Sequence, residues 1–134
     1  MPILPFLTKL HRAPAGSFHV LTGAKAARLR AHTMYIPSPL DIATAIQAIP
    51  HGQTRTLRDI RSDIALAHHA DITCPSRTTI YWKWLAHATV ELGDTPSPYA
   101  IPWWRVLKDG KLSPHMPGGI SNQRELLRRE GVEK

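Results

Sequence analysis

The sequence predicts a small α+β domain, mostly helical. Three observations carry this reading. Helix-start signals recur near Ser38, Thr56 and Ser76, each ahead of an apolar stripe. Proline or glycine ends three of the four periodic segments, at Pro50 and Gly52, Gly93 and Gly131. A tight-turn dipeptide, Asp109-Gly110, stands between short apolar runs. A chain of 134 residues is the length of one ordinary domain and buries a modest core.

Residues 1–33 show no sustained period and contain Pro2, Pro5, Pro14, Gly16 and Gly23. They read as a basic N-terminal extension, free to be flexible, with one short helix around residues 23–31. The domain itself is assigned to residues 34–134. Its first helix is announced by Ser38 as N-cap, Pro39 in the first turn and Asp41 as the reciprocal acid of a capping box. Leu40, Ile42, Ala43, Ile46 and Ile49 supply the apolar stripe, and Pro50 and Gly52 stop it.

Thr56 and Asp59 form a second capping box, opening a helix over about 57–69 with Leu57, Ile60 and Ile64 facing inward. Arg58 and Arg61 alternate with Asp59 and Asp63 on its outer side, a pattern read as a solvated, salt-bridged face. A strand-like fragment around Ile72 precedes Pro75 and the strongest helix, with Ser76 as cap and Gly93 as stop. Ile80, Trp84, Ala88 and Leu92 line one face, widened by Tyr81 and Leu85. Trp82, opposite that stripe, is expected to be exposed and to contact DNA or another protein. The stretch from Ile72 to Val90 holds no acid. Two helices joined by a tight loop, the second acid-free at its start, fit either a helix-turn-helix or ordinary helix packing.

"WWRVLKDGKL" reads as two short strands around the Asp109-Gly110 turn. A Pro/Gly-rich loop and a last helix from about Ser121 to Glu130, closed by Gly131, complete the chain. The order of elements is that of a winged-helix-like domain with a helix-turn-helix and a short β-hairpin.

The formal net charge of +7 points to an anionic partner such as nucleic acid. Lys9, Arg12, Lys25, Arg28 and Arg30 stand in residues 1–33 without a single acid. That is either a nucleic-acid-binding arm or a solubilising tail. No apolar run approaches the about eighteen residues a membrane helix needs. Cys74 is the single cysteine, which excludes an internal disulfide and fits a reducing, cytoplasmic setting. It precedes a helix start, where a thiol can be activated, but a small buried hydrophobe is the commoner role. The eight histidines lack metal-ligand spacing, so no metal site is expected.

Four fragments, in order, carry a family resemblance across residues 35–132. "IPHGQTRTLRDI", "PSRTT", "IPWWRVLKDGKL" and "PGGISNQRELLRREGV" are similar to the DNA-binding domain of alkylguanine-DNA alkyltransferases (the methylated-DNA-protein-cysteine methyltransferase family). They most resemble its cysteine-less, alkyltransferase-like branch. The resemblance implies a helix-turn-helix that binds duplex DNA in the minor groove and rotates a damaged guanine out of the stack.

The family's active-site P-C-H-R-V aligns with Pro102 to Val106, so Trp103 takes the cysteine's place and Trp104 the histidine's. Indole offers neither a nucleophilic lone pair nor a base near neutral pH, so alkyl transfer is not expected. The resemblance leaves a lesion pocket of Trp103, Trp104, Arg105, Met116, Gly118 and Glu130, with a plain core pair as the alternative for the two tryptophans. Arg105 is otherwise a brace on backbone carbonyls. The implied DNA-binding set is Thr56, Leu57, Arg77, Thr78, Thr79 and Lys83, with Leu57 in place of the family's base-rotating tyrosine. Met116-Pro117 replaces the family's tyrosine-serine pair, removing two hydroxyl donors.

The expected protein is thus a monomeric, non-enzymatic DNA binder that flags alkylated guanine for repair proteins, with no cofactor and no membrane contact. The alternatives are a DNA-binding regulator or architectural module without lesion recognition, and a degenerate fold used for protein–protein contact.

Overall fold

The computed structural model describes residues 4–134. Helix α1 (Pro5–Arg12) leads to strand β1 (Ser17–Val20), helix α2 (Gly23–Leu29) and strand β2 (Thr33–Ile36). Then come α3 (Pro39–Gln47), β3 (Arg55–Thr56), α4 (Leu57–Ala67), β4 (Ile72–Thr73) and the long α5 (Pro75–Leu92). A 3-10 turn (Trp103–Arg105), β5 (Val106–Leu107) and α6 (Gly119–Arg129) finish the chain. The architecture is α+β and mostly helical, as the sequence predicts.

From Leu4 to Thr33 the described chain packs against the rest of the molecule instead of standing apart as an extension. β1 pairs antiparallel with β2, which pairs in parallel with β4, making one three-stranded sheet. α1 lies along α5, and Leu10, 2% exposed, belongs to the main core. A Cβ at Gly16 would collide with the Tyr35 hydroxyl, so this glycine is required by close packing rather than by flexibility. The reason α1 has no local start signal is physical. Its first N–H groups, from Phe6 and Leu7, donate to the Glu91 carboxylate at 2.8 and 3.1 Å, across more than eighty residues of sequence.

Both capping boxes form as read: Ser38 with Asp41, and Thr56 with Asp59. α4 ends at Ala67, two residues early, because His69 turns into the left-handed region (φ 55°). The connection from His68 to Cys74 contains β4, so the joint between α4 and α5 is longer than a tight turn. Cys74, not Ser76, occupies the N-cap of α5, with Pro75 at its first position. Gly93 (φ 57°) stops this helix, as its sequence position indicates.

α5 is the central element and packs on α1, α3 and α4. Being covered on several sides, it buries Thr78, Tyr81, Trp82, Leu85, Ala86, Ala88 and Leu92, while Ile80 and Trp84 are only half-buried. Trp82 is therefore fully buried, contrary to the exposed position its place opposite the stripe predicts. Its Nε1–H donates to the Trp103 carbonyl at 3.2 Å, which satisfies the one polar group of the ring.

The hairpin is one bridge long. Lys108 and Lys111 exchange backbone bonds of 3.0 and 2.9 Å around Asp109 (φ 53°) and Gly110 (φ 74°), a turn that needs positive φ at both positions. The segment before it curls into the 3-10 turn, and β5 pairs in parallel with β3 instead of continuing the hairpin.

Candidate nucleic-acid interface and the paired tryptophans

The two adjacent tryptophans take different environments because the 3-10 turn rotates them apart. Their rings meet edge to face, with centroids 5.6 Å apart and planes at 86°. Trp103 is 2% exposed and packs in the main core with Met116, also buried. Trp104 is half-buried, and its Nε1–H donates to Glu130 Oε2 at 2.7 Å.

Glu130 is the hub of this region. Its carboxylate accepts from Arg105 Nε at 3.0 and 3.1 Å, from Arg105 Nη2 at 3.0 Å and from the Gly52 N–H at 2.8 Å. Burial pushes the carboxyl up, but the Arg105 guanidinium, the Gly52 amide and the Trp104 indole together outweigh it and hold the group at about 2. Arg105 Nη1 donates to the Ile49 carbonyl at 2.8 Å, so the guanidinium braces the end of α3 to α6. The buried Gln123 amide ties the same turn down, donating to the Trp104 and Val106 carbonyls at 3.2 and 3.0 Å. Sequence reasoning did not single out Gln123; a polar residue on the inner face of α6 was its only signal.

The predicted lesion-pocket residues thus come together around the turn, but as a packed and hydrogen-bonded cluster. Gly118 (φ 74°) opens α6, where a Cβ would strike the Asn122 side chain; it shapes the chain rather than a cavity wall. Four clefts of the molecule have other linings.

The predicted DNA-binding residues divide sharply. Leu57 is a core residue and Thr78 is fully buried, its hydroxyl donating to the Cys74 carbonyl at 2.8 Å. Neither is placed to touch a ligand, because the inward stripes of α4 and α5 claim them. Thr56 is the α4 cap and Thr79 donates to the Pro75 carbonyl at 3.1 Å. Arg77 is exposed in the first turn of α5, and Lys83 is half-buried further along.

Around that first turn the charges are unbalanced in a specific way. The acids nearby are already committed. Asp59 accepts the Thr56 N–H, Asp63 pairs with Arg55 at 2.7 Å, and Asp71 accepts the His32 and Thr33 N–H groups. Arg58, Arg61 and Arg77 have no ion pair among the described residues. The outer face of α4 is thus salt-bridged only at Asp63, whose partner Arg55 precedes the helix, while Arg58 and Arg61 make no ion pair within it. Arg58 and Arg61 line a cleft of about 340 Å³ that reaches Pro75 at the start of α5. On the other side of this turn, Arg77 shares a cleft of about 280 Å³ with Lys9, Arg12, Tyr81 and Trp84. The sequence marks Lys9 and Arg12 only as part of an acid-free stretch; their place beside Arg77 depends on the docking of α1.

Among the described residues no group of three metal-ligating side chains gathers, and no helix is long and apolar enough to cross a membrane. Cys74 packs with the smaller apolar cluster around Leu21, Ala31 and Met34, not with Trp103. No protein-family model matches this chain, and no curated protein sequence matches it.

Proposed function

We propose that this chain is a non-enzymatic duplex-DNA-binding protein of the alkyltransferase-like kind. α3, α4, α5 and the Asp109-Gly110 turn act as a winged-helix arrangement, with α4 and α5 as its helix-turn-helix. The observation that carries the reading is the set of unpaired cations, Arg58, Arg61 and Arg77, beside the first turn of α5. The nearest acids, Asp59 and Asp71, accept backbone N–H groups and Asp63 pairs with Arg55, so none forms an ion pair with these arginines among the described residues. Phosphate contacts from such cations supply most of the affinity of a DNA-binding surface, together with the amide groups of a helix start.

No transfer chemistry is assigned. Neither indole is a nucleophile, and Cys74 belongs to a different apolar cluster from the turn that carries the tryptophans. The burial of Trp103 and Met116 favours duplex binding without a preformed base pocket over the lesion-holding role that the family resemblance implies.

The test is an anisotropy titration of the full chain with labelled duplexes that contain either guanine or 6-O-methylguanine. Equal affinities that fall steeply with salt are expected. A clear preference for the lesion would restore the lesion-flagging reading, with repair proteins as the next partners. Absence of binding at low salt would remove duplex binding in either form.

A further inference from the structure

Resting on the nucleic-acid reading above, we propose that the cleft between α1 and the first half of α5 takes an unpaired nucleotide, its phosphate held by Lys9, Arg12 and Arg77 and its base stacked on Trp84. The substrate class that follows is a duplex with a single-stranded overhang or gap.

The lining of this cleft is Lys9, Arg12, Ala13, Pro14, Arg77, Tyr81 and Trp84, without a carboxylate. None of its three cations has an ion pair among the described residues. Like charges gathered around one concavity repel each other unless an anion enters. The rest of the wall is apolar and aromatic, so a bare phosphate would leave half of the cleft wet. A ligand with a phosphate at one end and a flat ring at the other satisfies both halves.

The aromatic side is already organised for this. Trp84 is half-buried on α5, held at 5.5 Å and 52° to the Tyr81 ring. The Lys9 ammonium lies 5.4 Å from the Trp84 centroid and 5.0 Å from that of Phe6. A base that stacks on Trp84 displaces Lys9 from the ring and leaves its charge for the phosphate. At about 280 Å³ the cleft stands just under the lower edge of small-molecule sites, about 300 Å³, and is far smaller than a duplex groove. A base pair inside a duplex keeps both faces in the stack, and a terminal pair is too wide for a cleft of about 280 Å³, so an unpaired base is the one that reaches the indole. Arg77 stands both in this cleft and in the first turn of α5. The unpaired nucleotide therefore lies where the duplex bound along α4 and α5 ends.

The experiment uses the full chain and three fluorescein-labelled probes: a blunt duplex, the same duplex with a short oligothymidylate overhang, and the oligothymidylate alone. The overhang duplex is expected to bind about tenfold more tightly than the blunt one, the size of one base–aromatic stack. Trp84→Leu should abolish that preference and leave blunt-duplex affinity unchanged. Because Trp84 also packs against the core, the exposed pair Lys9→Ala with Arg12→Ala provides a second variant. It should weaken overhang binding more than blunt binding, with an unchanged melting temperature. Equal affinity for blunt and overhang duplexes overturns the proposal and leaves duplex binding standing, as does a preference that survives both variants. Binding of the oligothymidylate that is lost in Trp84→Leu, without any duplex binding, supports the cleft and removes the duplex reading. No binding of any probe at low salt removes both.

Discussion

Arg105 and Glu130 form a closed fork, with Nε at 3.0 and 3.1 Å from the two carboxylate oxygens and Nη2 at 3.0 Å from Oε2. The side chains are 14% and 7% exposed, so this is a largely desolvated pair in the place where the resemblance sets a reactive centre. Its remaining valences are spent on backbone at Gly52 and Ile49 and on the Trp104 indole. All of these partners are structural.

The first prediction concerns this fork. Removing one partner of a buried pair leaves the other charge unmatched, so Glu130→Gln should lower stability by about 3 kcal/mol in urea unfolding at neutral pH. The folded carboxyl stands at about 2 against an ordinary 4.5. A depressed carboxyl contributes stability that is complete above its unfolded value and is lost as pH falls through its folded value. The wild-type advantage over Glu130→Gln should therefore shrink between pH 4.5 and 2. The loss should lie between about 1 and 3 kcal/mol, the lower figure allowing for solvent screening at the rim. An advantage that does not change on acidification would contradict an ionised pair.

The tryptophans give the second. Trp103→Ala removes a core ring and should cost about 3–5 kcal/mol. Trp104→Phe removes one indole bond to Glu130 and should cost about 1 kcal/mol. Neither should alter the affinity for an unmodified duplex at a temperature where both variants are folded. A Trp103→Ala protein that is as stable as wild type, with a lost preference for 6-O-methylguanine, would show an open pocket instead of a core.

Much of the domain was legible because its signals are local. The Ser38–Asp41 and Thr56–Asp59 boxes need only four consecutive residues, and each formed. The Asp109-Gly110 turn needs only two residues that accept positive φ. What failed depended on distant partners. α1 is capped by Glu91, Trp82 is buried by elements on several sides of α5, and Asp63 pairs with Arg55 in place of any arginine of its own helix. The alternation of charges on α4 could not reveal that last exchange, since Arg55 lies before the helix. For the site, residue identity marked the Trp103-Trp104 pair but read it as strand; that the segment is a 3-10 turn, and how it packs, is decided by α5 and α6.

The third prediction tests the Glu91 cap. Glu91→Ala leaves the Phe6 and Leu7 N–H groups without an acceptor, a loss of about 1 kcal/mol for a capping interaction. Hydrogen exchange should quicken over Pro5–Arg12 while α3 and α4 keep their protection. Leu10→Ala should do more, since it opens a cavity in the main core, at about 2–5 kcal/mol. If α1 were a loosely attached arm, neither change would move the unfolding midpoint.

The last prediction separates a binding face from a merely solvated one. Each phosphate contact adds close to one counterion to those released on binding, so the slope of affinity against salt counts the cations engaged. Arg58→Ala and Arg61→Ala should each weaken binding to any duplex sequence and reduce that slope by about 1. Arg128, paired with Glu125 at 2.7 Å on α6, is the control: Arg128→Ala should leave the slope unchanged. An equal fall in all three variants would mean that net charge alone draws the chain to DNA. An unchanged slope for Arg58→Ala and Arg61→Ala would take the duplex away from α4, because the free cations on that helix are what place it there.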